Sequence, residues 1–314
     1  MWPFKKRRAD GADSVEISEF LHDEGAENLH AALEKRDWET AREILSAADR
    51  EHFMYYVEVA SDVKGLEEWI TEPIRAEPGS TLPLLLRGAR AVSWAWEARG
   101  SGTADTVGQD AWKVWFQRLK LAENCLDEVV DRDPGNAEAW HYLITLARAR
   151  QLPIDEHWRR FNKLIEIDPS HLFGHEQMLN NLMPKWSGSN EAMFDFARTR
   201  AAACPGTHVP VLIAKAHIEY HWKNGREEYL ERDEVADEIN AAAYESVWHD
   251  DYETSLLTPV LWNDFAYTLT YGRYFKQAWH LYESIEDDWV RQWPWGGVKW
   301  FLKAREHARE NQDY

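Results

Sequence analysis

Hydrophobic and polar positions follow a helical rhythm along most of this chain. In "PVLWNDFAYTLTYGRYFKQAWHLYESI", Trp262, Phe265, Ala266 and Leu269 stand at offsets 0, 3, 4 and 7. That spacing puts them on one face of a helix. Tyr271-Gly272-Arg273 then makes a turn, where glycine reaches positive φ cheaply. Ala278, Tyr282 and Ile285 continue at offsets 16, 20 and 23 as the face of a second helix. A similar unit opens at Trp140, with Leu143, Ile144 and Ala147 and then, one residue late after Leu152-Pro153, His157, Phe161, Ile165 and Pro169. A third runs through Asn28, Leu29 and Ala32 to Ala41, Leu45 and Ala48.

Prolines mark the same period. Pro134, Pro169 and Pro205 are 35 and 36 residues apart, and Pro259 and Pro294 are 35 apart. A proline lacks the amide and crowds the preceding turn, so it ends one helix and lets the chain restart. Segments 170–203 and 206–250 read as looser helix pairs, 82–98 and 111–131 as single helices, and 298–311 as a last helix, apolar early and charged late. Alternating β-branched runs between turn signals are absent, so the pattern predicts an all-α chain. A period near 34 with two helices in each is the signature of a solenoid, in which neighbours bury each other's apolar faces.

The unit at Trp262 resembles the tetratricopeptide (TPR) pattern W-x2-L-G-x2-Y followed by A-x3-F-x2-A at seven positions in type or size, with its closing proline four residues late. The resemblance implies a right-handed α-solenoid of antiparallel helix pairs with a C-terminal capping helix. It would fill residues 19–314 behind a flexible basic tail, 1–18, with irregular insertions near 99–110 and 226–253. "WAWEARG" at 94–100 and the stretch "PKWSGS" from Pro184 are similar to bacterial TPR-like proteins that carry a P-K-W-x-G-S segment, over roughly 80–220. No reaction follows from that likeness.

Charge narrows the functional classes. The chain has 314 residues and a formal net charge of -19, and Lys5, Lys6, Arg7 and Arg8 make the remainder more acidic still. Such a surface repels a phosphate backbone, so nucleic-acid binding is not expected, and a basic or apolar protein or peptide partner is. The two cysteines, Cys125 and Cys204, suggest no disulfide framework. No stretch approaches the ~20 apolar residues of a membrane helix, and "MWPFKKRR" has no apolar segment after it. A cytoplasmic protein without stable membrane insertion is expected, with the tail as at most a weak tether to anionic lipid.

Candidate chemistry is sparse. No P-loop, Rossmann glycine motif, G-x-S-x-G elbow or H-E-x-x-H occurs. His171/His175 and His217/His221 have the i,i+4 spacing that puts two imidazoles on one helical face, which makes them weak metal candidates. Glu-x-x-His occurs at Glu138/His141, Glu19/His22 and Glu27/His30. The TPR resemblance implies that a clamp for acidic tails would use His141, Glu176 and Asn263 with Thr145, Asn180 and Tyr267. Of these only Asn180 has the right type, so an acidic-tail clamp is not expected. The same resemblance places a partner-binding groove on Glu138, His141, Arg148, Glu176, Asn180, Asn263, Tyr267 and Tyr271. The 18 tryptophans, four of them in "DDWVRQWPWGGVKW", would fill a wide core or line that groove. In "PKWSGSNEAMFDFAR", Ser189 reads as the N-cap of a helix and Trp186 as a plug; the alternative is an anion site of Lys185, Trp186, Ser187 and Ser189.

The sequence therefore leads to a non-catalytic, cofactor-free interaction scaffold with an aromatic-lined acidic groove. Two other readings stand beside it. One is a metal-dependent or other enzyme using the histidine pairs or the Lys185–Ser189 segment. The other is an acidic immunity-type inhibitor of a basic toxin.

Overall fold

A computed structural model describes residues 15, 17–100, 107–186, 188–225 and 227–313; the cations at 5–8, most of the 1–18 tail and Ser187 lie outside them. The described residues form helices and turns without a strand. In chain order they are α1 (Glu24–Glu34), α2 (Trp38–Ala47), α3 (Arg50–Asp62), α4 (Leu66–Trp69), α5 (Thr71–Ala76), α6 (Leu82–Arg99), α7 (Gln109–Arg132) and α8 (Ala137–Ala149). They continue as α9 (Ile154–Ile167), α10 (Leu172–Asn181), α11 (Asn190–Ala203), α12 (Val211–Asn224), α13 (Asp233–Tyr244), α14 (Thr258–Tyr271), α15 (Phe275–Ile285) and α16 (Val298–Asn311).

The acid-rich composition helps to start these helices. Asp23, Asp37, Asp49, Asn136 and Ser189 each accept a first-turn amide at a helix N-terminus. A cap of this kind is worth ~1 kcal/mol over alanine. The prolines at 134, 169 and 205 fall between helices as the period predicts, and Pro259 sits in the first turn of α14, where its missing amide costs nothing. The acidic stretch 226–253 is not one long helix. It holds a 3-10 turn, Glu227–Tyr229, then α13 and a run of turns.

Packing repeats along the chain. Helices α1, α3, α6, α8, α10, α12, α14 and α16 each touch the next of that series, and α2, α7, α9, α11, α13 and α15 pack alongside them. The buried apolar side chains form one continuous core from Leu21 to Ala308. The last helix buries Phe301, Ala304 and Ala308 and turns its charged residues outward.

The two ends of the array meet. Glu51, in the first turn of α3, accepts from the amide of Leu257 at 2.9 Å and contacts His208 Nε2 at 2.9 Å. Arg50 reaches Asp168 at 3.4 Å, and His22 lies 2.7 Å from the carbonyl of Asp288 with its ring edge-on to Trp289. The expected groove residues Glu138, His141, Asn263 and Tyr267 are buried, while Tyr271 stays exposed.

Candidate functional site

Three clusters concentrate the chemistry of the described residues, and they differ in what they leave unsatisfied.

The first joins α8 to the start of α10. Glu138, His141 and His171 are 2–3% exposed, and their ligating atoms lie within 4.8 Å of one another. Sequence reading singled out each of them, but not together: 30 and 33 residues separate His171 from the other two. Two imidazoles and a carboxylate can hold a divalent metal. The hydrogen bonds argue otherwise. The amide of Gly174 donates to His171 Nδ1 at 3.0 Å, as part of the α10 N-cap. Nδ1 therefore carries a lone pair and Nε2 carries the proton, which is donated to Glu138 at 2.8 Å. A metal on Nε2 needs the opposite tautomer, in which Nδ1 donates to an acceptor behind it. The cluster fits a hydrogen-bonded lock between α8 and α10 better than a metal centre. Close by, the Tyr142 hydroxyl donates to Glu58 at 2.8 Å.

The histidines of the two i,i+4 pairs have separate partners. His175 points away from His171: its Nδ1 donates to the His171 carbonyl at 2.9 Å, and its Nε2 accepts from Arg200 at 3.0 Å. Burial, with Arg200 beside it, lowers its pKa to about 3, so it is a neutral core residue. His217 bridges the Tyr229 hydroxyl (2.7 Å) and Glu238 (3.1 Å), whereas His221 lies against Tyr271. Arg198, bound to both Glu238 oxygens, and then His217 bring that carboxyl down to about 2. Cys125 and Cys204 are buried, and burial raises both thiols, so neither is an activated nucleophile.

The "PKWSGS" stretch is a helix junction. Pro184–Trp186 forms a 3-10 turn after α10, and Ser189 Oγ accepts from Ala192 at 3.0 Å as the N-cap of α11. A Cβ on Gly188 would stand 2.0 Å from the Leu182 carbonyl oxygen, so the tight return of the chain requires glycine. Trp186 packs edge-on to Trp96 and lies beneath the Arg148 guanidinium at 5.5 Å. Arg148 itself donates to Asn181 and Gln177 at 2.8 Å, and burial drops its pKa to about 10. Lys185 pairs with Glu219 at 2.9 Å, which leaves it engaged rather than poised for an anion.

The second cluster is an ion trio across three neighbouring helices. Lys215 of α12 contacts Glu176 of α10 at 3.0 Å and Asp264 of α14 at 2.8 Å, with its amine 4.5 Å from the centre of the Trp293 ring. Burial disfavours the charged amine, but Asp264 and Glu176 raise its pKa, so it is a cation and not a nucleophile. Burial pushes Asp264 up to about 6 against the pull of Lys215, and its Oδ1 has no hydrogen-bond partner. Asn180, the remaining groove candidate, sits half-buried one turn beyond Glu176 on α10.

The third cluster is an aromatic recess of about 280 Å³ lined by Trp222 from the end of α12, Tyr267 and Tyr271 from α14, Pro294, Trp295 and Gly296 from the following loop, and Trp300 from α16. Asn263 builds it. Its amide donates to the carbonyls of Pro259 (2.7 Å) and Trp289 (2.9 Å), and its oxygen accepts from Arg291 (3.2 Å) and from Trp295 Nε1 (2.8 Å). One buried side chain thus clasps the 289–295 loop to α14. Trp222 Nε1 donates to the Tyr267 hydroxyl at 3.0 Å, which fixes the opposite wall. Tyr267 stacks edge-on to Trp295 at 5.3 Å, and Trp293 edges against Trp222 at 5.6 Å. Of the sequence-predicted groove residues, then, Tyr267 and Tyr271 line a surface site, Asn263 positions it, Glu138, His141 and Glu176 belong to the interior clusters, and Arg148 to the junction at Trp186.

No family model matches the chain, and no curated protein matches it.

Proposed function

We propose that the protein is a non-catalytic interaction module of the α-solenoid type and that it holds a side chain of a peptide or protein partner in the aromatic recess. The observation that carries this reading is the placement of the exposed aromatics. Seven large hydrophobic side chains are exposed among the described residues, and Trp222, Tyr271, Trp293 and Trp300 are four of them, all at or beside this recess. Scattered exposed apolar residues need no explanation, but a contiguous patch marks an interaction site. Tryptophan and tyrosine supply large rigid contact area at little entropic cost. The volume suits one aromatic or large aliphatic side chain, below the usual range for a drug-sized ligand. The repeated packing of α8, α10, α12 and α14 supports the solenoid reading, and the hydrogen-bonded lock of Glu138, His141 and His171 favours binding over catalysis.

Selection of a random peptide library on the wild type, with counter-selection on Trp222→Ala/Trp300→Ala, tests it. Enriched peptides should share an aromatic or large aliphatic residue and bind the variant at least tenfold more weakly. A library that enriches nothing over the variant would sink the reading.

A further inference from the structure

The charge distribution around the recess points to a more specific guest, on the assumption that the recess is the binding site. None of the residues lining it is charged. Cations nonetheless crowd the tryptophans at its wall and rim. The amines of Lys299 and Lys303 lie 5.6 and 5.7 Å from the centre of the Trp300 ring, and Lys215 holds the face of Trp293. An indole face attracts an ammonium group, and these faces already have theirs from within the chain. Lys215 is neutralised by Glu176 and Asp264, whereas Lys299 and Lys303 are exposed, and neither makes an ion pair among the described residues. The N-terminus of α16 begins at Gly297 without a side-chain cap and adds positive field at the same edge.

From this we infer that the recess recognises an aromatic or large aliphatic side chain flanked by acidic residues in a partner peptide, in a molecule whose overall charge would suggest a basic partner. The two scales of electrostatics settle which effect wins at the site. The net charge of -19 is spread over the whole chain. At physiological salt, screening acts over ~8 Å, so a guest in the recess feels Lys299, Lys303 and the α16 N-terminus far more than distant carboxylates. A basic guest finds no carboxylate in the lining and two exposed amines at its edge. An acidic flank finds two exposed cations at the rim and no carboxylate in the lining.

The test uses the full-length protein and four short fluorescein-labelled, C-terminally amidated peptides, Gly-Asp-Phe-Asp-Gly, Gly-Ser-Phe-Ser-Gly, Gly-Lys-Phe-Lys-Gly and Gly-Asp-Ala-Asp-Gly, followed by anisotropy in 150 mM salt. The Asp-Phe-Asp peptide should bind on the order of fivefold more tightly than the Lys-Phe-Lys peptide, the size expected of two exposed charge contacts. Asp-Ala-Asp should not bind measurably. Lys299→Glu/Lys303→Glu, two surface changes that leave the core untouched, should reverse the order. If the three phenylalanine peptides bind alike, or the basic one binds best, the acidic-flank inference is overturned while the recess reading stands. If no phenylalanine peptide binds more tightly than Asp-Ala-Asp, both fail.

Discussion

The lock between α8 and α10 and the recess between α12, α14 and α16 are both rich in the side chains that make sites, and they have opposite characters. In the lock, His171 spends one nitrogen on a backbone amide and the other on Glu138, and the whole group is buried. In the recess the polar atoms, Trp222 Nε1, Trp295 Nε1 and the Asn263 amide, are the satisfied ones, and apolar ring faces are left to solvent. Residue type alone would favour the lock as the functional centre. Counting partners reverses the order: a group acts on a ligand with what the fold has not already used.

The comparison breaks most visibly at Glu138. Glu138→Leu leaves His171 Nε2–H without its acceptor in a dry interior, and urea unfolding should show a loss of ~3 kcal/mol. Peptide binding at the recess should be unchanged in that variant. If zinc raised the melting temperature of the wild type by several degrees and failed to do so in Glu138→Gln, the lock would be a metal site after all, and the contrast would dissolve. Asn263→Ala comes next. It removes the three hydrogen bonds that clasp the 289–295 loop and a fourth within α14, so it should cost ~2 kcal/mol. Unlike Glu138→Leu, it should also weaken peptide binding at least tenfold, because the walls lose their register. Intact binding in Asn263→Ala would show that the recess holds its shape without the clasp.

Much of the fold was legible in the sequence. The offsets at Trp262 and Trp140 gave α14/α15 and α8/α9, and the charged end of the last segment gave the exposed face of α16. The meeting of the two ends was not legible, because Glu51, His208 and Leu257 make contacts more than 150 residues apart that leave no periodic trace. The expected groove residues divide for a related reason: Tyr267 and Tyr271 line the recess, whereas Glu138 and His141 are buried. A repeat pattern says which residues face one side of a helix row, but not whether that side is covered. Tyr267, Tyr271 and the tryptophans from Trp289 on were visible as an aromatic group, whereas Trp222, beside His221 on a different helix, had nothing in the pattern to join it to them. Lys215 and Asp264 carried a weak signal: Asp264 is an acid inside the apolar run "LWNDFAYTL", and a buried acid at such a position calls for a cation on a neighbouring helix.

The ion trio offers a smaller effect with a definite sign. Asp264 has a folded pKa of about 6, above the ordinary 3.8, so its contribution is greatest at low pH and is lost as pH rises through 6. Linkage gives the wild type ~1.4 kcal/mol more stability relative to Asp264→Asn at pH 5 than at pH 8. Paired urea titrations of the two proteins at those pH values measure it. A difference that grew toward pH 8 would mean that the Lys215 pairing, rather than burial, dominates the carboxyl.

Lys185 provides the contrast in miniature. Lys215 and Lys185 each hold a carboxylate of a neighbouring helix near 3 Å, but the Lys185 side chain is 46% exposed and the Lys215 side chain 13%. Water screens the exposed pair and supplies substitute partners when it is broken. Lys185→Ala should therefore change stability by less than ~0.5 kcal/mol. The amine also sits outside the stack of Trp186 under Arg148, so that packing should survive and tryptophan fluorescence should keep its emission maximum. A larger loss, or a red shift of the emission, would mean that Lys185 orders the junction between α10 and α11, and the "PKWSGS" stretch would then owe its shape to charge as well as to Gly188, Ser189 and the tryptophan plug.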